Sequence, residues 1–202
     1  MKTQLHIIST GKQTKEAFIE KVIALQAEVD FIHIRERSWT AKEIIDTVKT
    51  LMASGVPLKK IIINDRVDVA ASMHTRGVQL ASHSVSTAYV KKHHPRLLIG
   101  CSVHSVTEAI DQEKAGADYL LYGHIFKTDS KKGSDPRGVK RLREMIEQVS
   151  IPVVAIGGIT PETVSSVVQA GANGVAVLSG ILLEKDAVVA ARKYKQALEG
   201  FK

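Results

Sequence analysis

The chain has 202 residues, of which 44% are hydrophobic and 24% are charged, which is ordinary for a globular domain with its own core. No apolar run approaches the roughly 18 residues that a membrane span needs, and the apolar run near the start is too short for a secretion signal. The formal net charge of +7 reflects either an excess of solvated lysines or a field that attracts an anionic small molecule. Zinc-finger spacing, basic heptads and aromatic RNA-binding motifs are missing from the sequence, which argues against nucleic acid as a partner.

The sequence contains one cysteine, Cys101, within the apolar run LLIGCS. A single thiol excludes an intrachain disulfide framework and is typical of a reducing cytoplasm. A cysteine inside an apolar run is expected in the core. We therefore predict a cytoplasmic protein whose fold depends on buried apolar side chains.

Strands and helices are predicted to alternate eight times along the chain. Short apolar runs are typical of buried parallel strands, and amphipathic segments follow them. The predicted strands cover 5–9, 30–37, 60–65, 77–81, 97–103 and 118–123 and lie within 151–160 and 174–180. The predicted helices cover 15–28, 41–53, 87–94, 106–115 and 139–149, with further helices from Val67, Pro161 and Asp186. Eight units without a linker predict one domain, residues 1–202, of the α/β class: a (β/α)8 TIM barrel.

An open, doubly wound parallel sheet is the competing architecture. Such a sheet carries a glycine-rich fingerprint, G-x-G-x-x-G, in the turn after its first strand. Here that turn reads STGK at residues 9–12 and lacks the fingerprint. The barrel is therefore favoured.

Two small-residue turns follow the last two predicted strands. Gly157 and Gly158 end the run IPVVAIGG, and Ser179 and Gly180 end the run GVAVLSG. Turns that enter a helix present backbone N–H groups to an anion. Because many barrels bind phosphate after strands seven and eight, these four residues are predicted to bind a phosphate group.

Polar residues also stand at the ends of the second, third and fifth strands. Alternation along the second strand turns His33 and Arg35 toward the barrel axis. Arg35 is expected to bind a ligand anion or to form an internal ion pair, and His33 to form an interior hydrogen bond. Asn64 either holds a polar ligand group or caps the next helix. Ser102 either contacts the ligand or is only a small turn residue.

His124 follows the sixth predicted strand and precedes a polar loop, residues 127–137. Histidine gains and loses a proton near neutral pH, so at the catalytic face of a barrel it is a candidate acid and base. One lysine of the loop, Lys131 or Lys132, is expected to contact the ligand. The other histidines form no metal-binding spacing, and we predict no metal site.

Seven motifs resemble, in order and over nearly the whole chain, the thiamin phosphate synthase superfamily. They are DFIHIRER, IIINDRVDVA, RGVQLA, IGCSVHS, YGHIFKTDSKKG, VVAIGGIT and VAVLSGI. The resemblance implies a barrel enzyme that joins a pyrimidine pyrophosphate to a thiazole phosphate with magnesium. It matches Arg35, Asn64, Ser102 and Lys131 to substrate-binding positions, with Lys131 at the pyrophosphate. The two small-residue turns match the thiazole phosphate site.

Two departures from the synthase pattern favour the thiazole tautomerase branch of this superfamily. Ser84 stands where the synthase has a metal-binding aspartate, which leaves Asp65 to hold magnesium poorly. His124 stands where the synthase has a proline. The resemblance then implies an isomerase that aromatises a carboxylated thiazole phosphate without a cofactor, with His124 as the catalytic acid and base. Arg35 would bind the substrate carboxylate.

Two alternative functions stay open from the sequence. The first is a magnesium-dependent thiamin phosphate synthase, which Asp65 and Lys131 favour. The second is a non-catalytic protein that senses thiazole phosphate in the same cavity. A homodimer is compatible with the resemblance, since small barrels of this superfamily often dimerise.

Overall fold

The computed structural model describes residues 3–128, 133 and 135–200. Within them, eight parallel strands form one closed barrel in sequence order, and β1 pairs with β8 to complete it. The strands are β1 Gln4–Ile8, β2 Phe31–Ile34, β3 Ile61–Asn64, β4 Gly77–Leu80, β5 Leu98–Val103, β6 Tyr119–Gly123, β7 Val153–Ile156 and β8 Gly174–Val177. The predicted (β/α)8 fold is confirmed.

Helices follow the strands and surround the barrel. They are α1 Lys15–Leu25, α2 Ala41–Ala53, α3 Val67–Ser72, α4 Thr87–His93, α5 Val106–Lys114, α6 Gly138–Ile146, α7 Val164–Gln169, α8 Ser179–Leu182 and α9 Ala187–Glu199. The described part of the chain has no helix with the length and apolar character needed to cross a membrane.

The predicted elements are present; the structure differs from the prediction at some of their ends and adds one short helix. The strand predicted at 30–37 ends at Ile34, so Arg35 lies just beyond β2. The helix predicted at 15–28 ends at Leu25, and its last three residues form a 3-10 turn. Helix α8 is not predicted because four residues are too few to show a helical period.

Helix α2 begins where its sequence predicts. Thr40 Oγ1 accepts a hydrogen bond from the Glu43 backbone N–H, and the Glu43 carboxylate accepts one from the Thr40 N–H. This reciprocal capping box satisfies two donors that the first helical turn leaves without partners. Its apolar face packs Ile44, Val48 and Leu51 against the barrel core.

Alternation along the strands divides the core into two layers. Ile32 and Ile34 belong to the large layer between strands and helices, as predicted. A smaller apolar cluster that includes Ile62, Leu121 and Val154 fills the barrel interior. The side chains that end the inward rows therefore lie at the mouth of the barrel.

Candidate active site

A cavity of about 1580 Å³ opens at the carboxyl ends of the strands. This is the end at which barrel enzymes place their chemistry. Among its described lining residues, the lysines and arginines are Lys12, Arg35, Arg37, Arg66 and Lys127, and the carboxylates are Glu36 and Asp65. The cavity therefore carries an excess of positive charge that favours an anionic ligand.

Arg35 lies at the rim just after β2 and is partly buried. Burial and the neighbouring charge of Arg37 lower the pKa of its guanidinium, and Glu36 acts in the opposite direction. An arginine side chain nonetheless stays protonated in proteins. Within the described residues, neither Arg35 nor Arg37 forms a salt bridge. The internal ion pair considered for Arg35 is therefore not observed there.

Asn64 and Ser102 both line the cavity, at the ends of β3 and β5. The Ser102 hydroxyl accepts a hydrogen bond of 3.0 Å from Gln79 Nε2. Tyr119 donates a bond of 2.6 Å to Gln79 Oε1 from below. This chain of hydrogen bonds fixes the side chain of Gln79, and the Gln79 amide in turn holds the Ser102 hydroxyl at the cavity wall. Sequence reasoning does not find Gln79 or Tyr119, which come from strands far apart in the chain.

Two buried histidines, His6 and His33, lie below the cavity. His6 Nδ1 and His33 Nε2 are 3.0 Å apart, which confirms the interior hydrogen bond predicted for His33. Burial lowers the pKa of His6 to about 3 and that of His33 well below its usual value. Both rings are therefore neutral at physiological pH, and one ring donates the shared proton to the other.

His124 follows β6 at the cavity wall and is only 7% exposed. The peptide bond between Gly123 and His124 is cis. The carbonyl of Gly123 accepts a bond of 3.0 Å from Arg137 Nε and lies 3.3 Å from His104 Nδ1. The His124 carbonyl accepts the Arg137 backbone N–H at 3.0 Å. Arg137 thus fixes the backbone that carries His124.

Gly157 and Gly158 form the turn after β7, which lies in close contact with the loop after β6. Both have positive φ angles, 98° and 67°, which residues other than glycine rarely adopt. A Cβ on Gly157 would overlap the Cβ of His124, and one on Gly158 would overlap the carbonyl oxygens of Phe126 and Lys127. The close approach of the loops after β6 and β7 therefore requires glycine at both positions, whether or not a phosphate binds there.

Ser179 and Gly180 begin helix α8 and line the same cavity. Tyr194 of α9 packs directly against Gly180. A Cβ added to Gly180 would lie only 2.6 Å from the Tyr194 hydroxyl oxygen. The Tyr194 hydroxyl donates a bond of 2.9 Å to the Ile159 carbonyl in the turn after β7. Burial raises the pKa of Tyr194 to about 12, so the hydroxyl keeps its proton. Tyr194 joins the two predicted phosphate-binding turns, and its place within a helical pattern hides this role in the sequence.

Of the predicted site residues, Arg35, Asn64, Ser102, His124 and the two small-residue turns line one cavity. Lys131 and its neighbour Lys132 lie outside the described residues. The roles of the others toward a ligand stay predictions.

The fold and the site together define a (β/α)8 barrel with a positively charged cavity at the carboxyl ends of its strands. A family model described as thiamine monophosphate synthase matches residues 5–181. Thiamine-phosphate synthase of Pyrococcus abyssi is 34% identical over 98% of this chain and 96% of its own length. Thiamine-phosphate synthase of Natronomonas pharaonis is 37% identical over 95% of this chain and 91% of its own length. The solved thiamine phosphate pyrophosphorylase of Pyrococcus furiosus has a TM-score of 0.83 and 32% identity, and the match covers 98% of this chain and 96% of that chain. The chain belongs to the thiamine monophosphate synthase family.

The predicted isomerase activity is wrong. It depends on two positions, Ser84 and His124, that depart from the synthase pattern. The relatives that match over almost their full length are named thiamine-phosphate synthases, and this name points to a transferase activity. Phosphorylated substrates of thiamin biosynthesis fit the family, whereas the carboxylated thiazole is inferred only through the overturned activity.

The family resemblance implies magnesium, and the residues at the cavity do not fit a magnesium site. Mg²⁺ takes an octahedral set of oxygens from carboxylates, phosphates and water. Within the described residues no group of three His, Cys, Asp or Glu side chains could hold a metal ion. Asp65 faces His83 across 4.0 Å, and Glu36 accepts the Gly11 backbone N–H at 3.2 Å. The donor set near Asp65 is thus a carboxylate and an imidazole in place of two carboxylates.

Proposed function

We propose that the chain is a thiamin phosphate synthase, a transferase that joins a pyrimidine pyrophosphate to a thiazole phosphate and releases pyrophosphate. The observation that carries the proposal is the match to relatives of that name along almost the whole of both chains. The cationic cavity supports it, since both substrates and one product are anions.

We assign the thiazole phosphate to the turns that hold Gly157, Gly158, Ser179 and Gly180. These turns lie at the ends of adjacent strands, β7 and β8. Backbone N–H groups in such turns bind phosphate oxygens without a side chain. The hydrogen bond from Tyr194 to Ile159 stabilises the wall behind them.

The pyrophosphate of the second substrate is assigned to the β2–β5 side of the mouth. Arg35 supplies a planar guanidinium that can bind two phosphate oxygens at once. Asn64 and Ser102 contribute neutral polar groups on the same side. Lys131 stays a predicted pyrophosphate ligand, from the match of its sequence motif to the family pattern.

In this arrangement the barrel contributes mainly positioning and charge. The carbon–oxygen bond to pyrophosphate breaks and the leaving group takes the electron pair, while the thiazole nitrogen forms a new carbon–nitrogen bond. Binding both substrates with their reacting atoms side by side replaces a bimolecular encounter. Fixed cations stabilise the negative charge that develops on the leaving pyrophosphate. His124, beside the turn after β7, is placed to hydrogen-bond substrate between the two anionic ends.

The test is an incubation with both substrates over a range of Mg²⁺ concentrations, with thiamin phosphate and pyrophosphate measured separately. We expect the two products in equal amounts. Arg35→Gln should lower kcat/KM by about 10–100-fold, since a hydrogen bond to a charged group contributes about 1.5–3 kcal/mol. Arg96→Gln, at an exposed position before β5, is the matched control and should change nothing.

Absence of thiamin phosphate at every Mg²⁺ concentration would overturn the proposal. Thiazole phosphate binding without turnover would identify a binding protein in its place. A homodimer stays a prediction, which sedimentation of the same sample measures directly.

A further inference from the structure

The two arginines after β2 have no ion-pair partner within the described residues. Arg35 and Arg37 line the same cavity, and the charge of Arg37 is one of the causes that lower the pKa of Arg35. Two like charges that line one cavity repel each other, and this repulsion destabilises the folded protein. An anion bound between them would turn this repulsion into attraction. By contrast, Arg66 already pairs with Asp68 through two hydrogen bonds.

The acidic side of the same mouth is short of oxygen ligands. Asp65 has the imidazole of His83 as its charged neighbour, with Nε2 and Oδ1 4.0 Å apart. Both side chains are well exposed, at 47% for Asp65 and 63% for His83. One carboxylate beside a nitrogen base is a weak site for Mg²⁺, which binds oxygen and keeps much of its water.

We propose that this chain binds the pyrophosphate group of its substrate directly through Arg35 and Arg37, with no divalent cation between protein and phosphate. The inference rests on the proposed function, because that function puts a pyrophosphate at this side of the mouth. Guanidinium groups bind phosphate oxygens in pairs through fixed N–H donors. Two such groups supply the countercharge that a bound cation would otherwise provide.

The first experiment measures binding of inorganic pyrophosphate to the whole protein by calorimetry, once in excess EDTA and once in excess Mg²⁺. We expect binding in EDTA that is at least as tight as in Mg²⁺, because free Mg²⁺ competes with the arginines for the phosphate oxygens. Arg37→Gln should weaken binding in EDTA by about tenfold or more. Arg96→Gln should leave it unchanged.

A second experiment adds the missing carboxylate. His83→Asp places a second carboxylate opposite Asp65, and Mg²⁺ should then tighten pyrophosphate binding. His83→Asn removes the imidazole without adding charge and is the matched control, for which Mg²⁺ should still give no gain.

The proposal is overturned if the unaltered protein binds pyrophosphate only with Mg²⁺, or binds it under neither condition. It is also overturned if Arg37→Gln binds pyrophosphate in EDTA as tightly as the unaltered protein, because the anion would then lie away from Arg37. Binding in EDTA together with no thiamin phosphate formation would support this inference while the proposed transferase fails. Thiamin phosphate formation together with Mg²⁺-dependent binding would mean the reverse.

Discussion

Tyr194 gives the clearest case of a single residue that connects two parts of the site. Its hydroxyl donates to the Ile159 carbonyl in the turn after β7, while its ring supports the start of α8. Tyr194→Phe keeps the ring and leaves that buried carbonyl without its partner. We expect the free energy of unfolding to fall by about 1–2 kcal/mol and the KM for thiazole phosphate to rise, as urea unfolding and initial rates would measure.

Tyr89 provides the matched control for that change. It is 54% exposed, and its ring packs on His93 at a centroid distance of 4.3 Å. Tyr89→Phe should shift unfolding by no more than about 0.5 kcal/mol. Equal effects of the two substitutions would contradict the role assigned to the Tyr194 hydroxyl.

Gly157 tests how closely the β6 and β7 loops must approach. Gly157→Ala forces a side chain onto a positive φ and into the Cβ of His124. Gly55 has a similar φ of 86° but nothing within 4 Å of an added Cβ, so Gly55→Ala reports the backbone strain alone. We expect Gly55→Ala to cost about 1–2 kcal/mol, and Gly157→Ala to cost a further 1–3 kcal/mol or so. Similar losses would show that the loops separate easily.

Among the elements, helix α2 has the start signal that is easiest to test. Thr40→Ala removes the side-chain oxygen of the capping box and should destabilise the protein by about 1 kcal/mol. Thr50→Ala, at an exposed position on the same helix whose hydroxyl only bonds back to the Asp46 carbonyl, should have little effect. Thermal unfolding of both variants measures the difference, and a Thr50→Ala effect as large as that of Thr40→Ala would argue against the cap.

The elements show what the sequence can and cannot predict. Strand and helix periods are local properties, so all eight strands and the inward direction of His33 are predicted correctly. The contact between Tyr194 and Ile159 joins residues 35 positions apart and has no local signal. The predicted isomerase activity is wrong because two changed positions, Ser84 and His124, say little about which substrates the rest of the cavity binds.

On the scale of the whole molecule, the buried histidine pair makes stability depend on pH. An unfolded chain binds a proton at His6 below about pH 6.5, whereas the folded protein does not until about pH 3. Since the unfolded state then holds more protons, stability falls as the pH falls through this window, by at most about 1.4 kcal/mol per pH unit for each such histidine. Above pH 7 both states are neutral at His6 and the effect vanishes.

Urea unfolding between pH 7.5 and 4 measures that slope. His6→Gln removes one of the two titrating groups and should make the dependence on pH shallower, although it also lowers stability at neutral pH. An unchanged slope would mean that other groups cause the acid sensitivity.

The place of Tyr194 in the chain has a consequence for biosynthesis. Its hydroxyl connects the turn after β7 to the start of α8, and both of those segments are translated before it. A nascent chain lacking α9 has every residue of the predicted anion-binding turns and lacks their support. We therefore expect ligand affinity to rise only after α9 has left the ribosome, which thiazole phosphate binding to ribosome-stalled chains that end before and after α9 would measure.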